Sequence, residues 1–190
     1  LQDPAAMLPL MWIGIIGGLV LAFVTILAKK VAPYTAPGYA LLEGLALGGI
    51  SAFYETRYPG IVIQAVGLTF GTLACLLAAY RSGLIKATEN FKLGIIAATG
   101  AIALLYIVNM VMSMFGHSFG FIHEGGTVGI LFSLVVVTVA ALNLVLDFDF
   151  IENGVANGSP KYMEWYGAFS LLVTLVWLYL EMLRLLSKLR

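Results

Sequence analysis

Of 190 residues, 61 % are hydrophobic and 11 % are charged, ten Lys and Arg balance ten Asp and Glu, and the mean hydropathy is +1.00. That composition excludes an ordinary soluble domain, and zero net charge gives a nucleic-acid partner no broad basic face to bind. The single Cys75 excludes both an intrachain disulfide and a cysteine metal cluster.

Apolar residues fall into six blocks, about 8–31, 37–54, 60–80, 92–115, 126–148 and 162–188, and a bilayer-crossing helix needs roughly 20 residues. The expected fold is an all-α, polytopic transmembrane helical bundle forming a single domain over 1–190. The chain opens on Leu1, and LQDPAAM has neither a basic stretch nor a cleavage site of the signal-peptide kind, which suggests a fragment or a processed product.

The first block ends at Lys29 and Lys30. By the positive-inside rule this connection and the third, carrying Arg81, Lys86 and Lys92, face the cytoplasm, and the second and the His-containing fourth face outward. In the second block, Glu43 in APGYALLEGLALGG is hard to explain as a surface charge. It either lines a polar path or stays protonated against a neighbouring backbone. The spacings Gly44-x-x-x-Gly48 and, in the third block, Gly67-x-x-x-Gly71 are expected to let helices pack closely. Cys75 is expected to be a small core residue, and Gln64 and Asn109 to be interhelical hydrogen-bonding residues. Trp12, Tyr54, Tyr58, Tyr162 and Trp165 suit interfacial anchors.

His117 and His123, in the Gly-rich loop beside Glu124, are six residues apart, which is no strong zinc spacing, and are read as loop residues. HExxH, GxSxG, P-loop and CxxC patterns are all absent from the chain, so hydrolase and nucleotide chemistry find no support and the protein is not expected to be an enzyme.

The fifth and sixth blocks carry the candidate site. Asn143, Asp147 and Ile151 in LNLVLDFDFIE share a helical stripe that should face the interior, and Glu181 in LVWLYLEMLRLL needs a wet or polar partner. If Glu181 meets Asp147, or Asp149 in its place, the two carboxyls would share a proton or capture a hard divalent cation such as calcium. The bland alternative has Asp147 and Asp149 standing in water at a helix end, while Glu181 pairs only with Arg184, its i+3 neighbour. The basic end of this last block, Arg184 to Arg190, opposes the positive-inside rule if the helix crosses fully, which favours a central, tilted or re-entrant segment.

The segments 39–72, 140–154 and 160–189, with the motifs LLEGLALGG, LNLVLDFDFIENG and WLYLEMLRLL, resemble the Bax inhibitor-1 family and within it the bacterial YccA-like branch. The resemblance covers nearly the whole chain. It implies seven helices, six around a central C-terminal one. The match begins just before the second span, so six helices are expected here and the family's first is expected to be missing. It also implies a pH-sensitive calcium-permeable leak channel of the bacterial inner membrane, gated by Asp147 and Glu181. These two would serve as pH sensor and tentative calcium ligands, with Asp149, Asn143 and Glu43 as pore-lining or auxiliary groups. Relatives usually carry LYLD where this chain has LYLE. The family's basic latch has approximate counterparts in Lys29 and Lys30, with Arg184 a further candidate. Lipid and calcium are the expected partners, and no cofactor is expected. The alternative is a membrane interaction protein that modulates a membrane-bound protease or a stress or cell-death pathway.

Overall fold

The computed structural model describes residues 4–115 and 126–190, with side chains from Leu8 onward. His117, His123 and Glu124 lie outside the described residues. Six helices follow in chain order: α1 (Pro4–Leu27), α2 (Ala32–Arg57), α3 (Ile61–Arg81), α4 (Glu89–Met114), α5 (Thr127–Ala156) and α6 (Tyr162–Lys188). A 3-10 turn at Lys29–Val31 joins α1 to α2. All except α2 are long and apolar enough to cross a membrane. The 26 residues of α2 give it the length, but Glu43, Glu55, Arg57 and its glycines dilute its apolarity.

The helix ends follow local chemistry. Pro33 lies in the first turn of α2, where its missing N–H costs no helical bond. The Glu55 carboxylate accepts from Gly60 N (2.6 Å) and Val62 N (3.1 Å), satisfying orphan donors where α3 starts. Gly60 has φ +81°, a left-handed conformation that glycine adopts without steric penalty. Thr88 caps α4 by accepting from Phe91 N.

The chain divides into two compact units. The first holds residues up to Ile63 together with Phe150–Val173. Its α1 and α2 form a tight antiparallel hairpin: a Cβ on Gly14 would stand 2.5 Å from Leu42 O and 2.6 Å from Ala46 N. The hydroxyls of Thr25 and Thr35 meet at 2.7 Å near the turn. Tyr39 stacks edge-on against Phe169 of α6 (centroids 5.1 Å apart), and Lys29 lies over the ring of Tyr166.

The second unit spans Gln64–Asp149 and Thr174–Arg190, and the second half of α6 is its core. Leu178 and Leu183 are fully buried there, as are Val136, Ala140, Leu144 and Val145 of α5. This half of α6 touches Tyr106 of α4 and Gly129 and Ser133 of α5, and Arg190, just beyond its end, reaches Gln64 of α3. The helix is continuous over 27 residues, about 40 Å. Its length and apolarity are enough to cross a membrane.

The close approaches lie elsewhere than the glycine spacing suggested. Gly44, Gly48, Gly67 and Gly71 have nothing within 4 Å of an added Cβ, whereas Gly14, Gly17, Gly18, Gly38 and Gly49 do. Cys75 is likewise exposed rather than in the core. With Gly67 and Gly71 it edges an open groove of about 550 Å³ between α3 and α5, with Met182 among the lining residues. Spacing shows which small residues share a face, but not whether a helix covers that face.

Candidate functional site

Glu181 is only 2 % exposed, although it is an acid on a membrane-spanning helix. The i,i+3 spacing of α6 brings Arg184 over it, with Nη1 2.7 Å from Glu181 Oε1. The third member comes from α4. Tyr106 donates its hydroxyl to the same Oε1 (3.0 Å) and accepts from Arg184 Nη1 (2.6 Å), closing a triangle of hydrogen bonds. The guanidinium also lies 5.2 Å from the Tyr106 ring centroid, within cation–π range. Tyr106 in turn packs edge-on against Phe132 of α5. One oxygen of Glu181 is thus held twice, while its other oxygen, Oε2, is buried and accepts no hydrogen bond.

Asp147 lies on α5, 7 % exposed, with Oδ2 likewise buried and accepting no hydrogen bond. Asn143, one turn earlier on the same stripe, donates to Thr99 Oγ1 of α4 (2.8 Å) and to Val139 O (2.9 Å). The expected inward stripe therefore holds for Asn143 and Asp147. Ile151, one turn further along, is exposed.

Lys188 continues the polar edge of α6, donating to Gly129 O (3.0 Å) and Ser133 Oγ (2.9 Å) on α5. Glu181, Arg184 and Lys188 fall at i, i+3 and i+7, so one face of α6 carries a ladder from acid to base toward its C-terminal end.

The remaining candidates divide. Asp149 is held by Lys92 at 2.8 Å, and Lys92 also meets Glu89 at 3.3 Å, so this acid belongs to an ion-pair cluster tying the start of α4 to α5. Of the candidate latch residues, Arg184 is the one placed on Glu181, while Lys29 covers the Tyr166 ring and Lys30 is exposed. Glu43 belongs to the first unit, half-buried, with Oε2 set against Gly18 of α1. Gln64 and Asn109 both engage in polar contacts, Gln64 by accepting from Arg190 (3.0 Å).

Tyr106 and Lys92 escaped notice as partners. The signal for Tyr106 was its place in the middle of IALLYIVNM, far from the interfaces where membrane tyrosines concentrate. Among the described residues no group of three or more His, Cys, Asp or Glu side chains converges to hold a metal.

Five long apolar helices, with a polar cluster buried among those of the second unit, define an integral, multi-pass, all-α membrane protein. A family model described as Bax inhibitor 1 like matches residues 1–190, and the chain belongs to that family. No curated protein and no solved structure matched it.

Proposed function

We propose that the protein is a passive, pH-sensitive calcium-permeable leak of a bacterial inner membrane, gated by the carboxyls of Glu181 and Asp147. The carrying observation is Glu181: almost completely buried, ion-paired on one oxygen and without a hydrogen bond on the other. A carboxylate inside the membrane is costly and is functional by default.

In this reading Arg184 is the latch and Tyr106 positions it. When the two acids hold one proton between them, the single guanidinium neutralises the remaining charge and the site is closed. Loss of that proton leaves one uncompensated negative charge in a low-dielectric interior, which a hard cation relieves. Calcium prefers six to eight oxygens, so a site built on two carboxylates holds it weakly enough to let it pass. Calcium is cargo here, and the protein has neither a resident cofactor nor a catalytic step.

Calcium flux into proteoliposomes across the neutral pH range tests this. Flux should rise with pH in the parent, and the rise should vanish in the Asp147→Asn/Glu181→Gln double variant. A folded parent with no flux above empty liposomes sinks the reading.

The open α3–α5 groove favours a second reading, a membrane interaction protein that restrains a membrane-bound protease or a stress pathway. It predicts that the double variant keeps its function, while bulky residues at Gly67 or Gly71 abolish it.

A further inference from the structure

Glu43 is not used by the site above, and its setting is of another kind. It is the twelfth of the 26 residues of α2. Gly18, against which it packs, is the eleventh of the 20 residues of the apolar span Leu8–Leu27. At about 1.5 Å per residue the contact lies about 15 Å from either end of that span and about 17 and 21 Å from the ends of α2, midway along a hydrocarbon core of roughly 30 Å.

Glycine makes the room: a Cβ on residue 18 would stand 2.8 Å from Glu43 Oε2. Nothing of opposite charge shares that space. The span Leu8–Leu27 contributes no titratable side chain at all. On α2, Tyr39 is one turn back, Tyr34, Tyr54 and Glu55 are more than two turns away, and the first cation along the helix is Arg57. From α6, Tyr166 packs against the Tyr39–Phe169 cluster with Lys29 over its ring, while Tyr162 is half-buried at the helix start. Glu152, Lys161 and Glu164 are exposed. Among the described residues Glu43 makes neither a hydrogen bond nor an ion pair. An ionised carboxylate at mid-membrane depth without a partner is strongly disfavoured, and taking up a proton removes that penalty.

We propose that Glu43, seated against Gly18, is an intramembrane proton-binding site, separate from the Glu181 cluster, that carries a neutral carboxylic acid and is open to lipid on one side. Glu43 is only half-buried, and Ala40, one turn back on the same face, is exposed. A small hydrophobic reagent dissolved in the bilayer can therefore reach the acid, whereas a water-borne one cannot.

Dicyclohexylcarbodiimide has the required chemistry. The acid proton passes to one carbodiimide nitrogen, and the carboxyl oxygen bonds to the central carbon. The resulting O-acylisourea rearranges by oxygen-to-nitrogen acyl transfer to a stable N-acylurea. No group leaves and nothing is oxidised.

The test uses the full chain in liposomes, with peptide mass spectrometry after treatment. The expected result is an adduct on Glu43 that declines as the medium is made alkaline and is lost in Glu43→Gln. Gly18→Ala should alter its rate, because the added methyl displaces the carboxyl. Infrared spectra supply a readout independent of reagent access: a protonated-carboxyl carbonyl band in the parent that disappears in Glu43→Gln. Absence of that band overturns the proposal, as does modification of Glu43 by a water-soluble carbodiimide at the same rate, which would mark a hydrated carboxylate. Neither measurement depends on calcium flux, so the inference stands or falls apart from the leak reading.

Discussion

Arg184 sits one turn beyond Glu181 on α6 and places its guanidinium 2.7 Å from a carboxylate that is 2 % exposed. A helix would form this contact in isolation, but it matters because its acid is buried, while the Arg184 side chain is 30 % exposed. Removing one partner of a buried pair leaves an uncompensated charge, and that cost exceeds whatever the pair gained by forming. Arg184→Ala should therefore destabilise the protein by about 3 kcal/mol or more, seen as a lower thermal midpoint in detergent. Arg184→Lys retains the charge but loses the planar fork that serves both Glu181 and Tyr106, so an intermediate loss is expected. A Lys variant as unstable as the Ala variant would mean that geometry, not charge, holds the site.

Tyr106→Phe removes one hydroxyl and keeps the ring against Phe132 and Arg184. The loss should be about 1–2 kcal/mol, less than for Arg184→Ala, because the ion pair survives. The informative measurement is a double-variant cycle with Glu181→Gln. The hydroxyl donates to Oε1, so the two effects should fall short of adding. Strict additivity would place Tyr106 outside the cluster.

How much of this is legible in the chain depends on the range of each contact. Acids in apolar runs mark themselves, and the Glu181–Arg184 pair needs only helical periodicity to be foreseen. The Tyr106 contact joins residues 75 apart, and that of Lys92 with Asp149 joins α4 to α5. Such contacts depend on which helices become neighbours, which periodicity does not encode. The glycines make the same point in reverse. The four-residue spacing recurs at Gly14/Gly18, Gly44/Gly48 and Gly67/Gly71, yet of these three pairs the first takes the close contact and the other two meet open space.

Asp149 and Lys92 lie at a helix end, half-buried, with Glu89 exposed beside them. Ion pairs of that kind contribute little and are screened by salt. If the proposed leak reading holds, Asp149→Asn should leave calcium flux and its pH response as in the parent, and any change in thermal midpoint should fade as salt is raised. A lost pH response in this variant would transfer the proposed sensor role from Asp147 to Asp149.

The two glycine classes allow a paired test of the α1–α2 hairpin. In Gly14→Ala the new methyl meets backbone atoms, Leu42 O at 2.5 Å and Ala46 N at 2.6 Å, and backbone cannot rotate away as a side chain end can. The helices must separate, and overpacking of this kind costs about 1–3 kcal/mol. Gly67→Ala adds a methyl to open space on α3. It should be neutral or slightly stabilising, because alanine replaces the poorest ordinary helix former. Thermal midpoints of the two variants measured side by side should therefore diverge, with Gly14→Ala low and Gly67→Ala at or above the parent. A destabilised Gly67→Ala would reveal that the face of α3 bearing Gly67, Gly71 and Cys75 is covered when the protein is in its membrane, and would shift weight toward the interaction-protein reading.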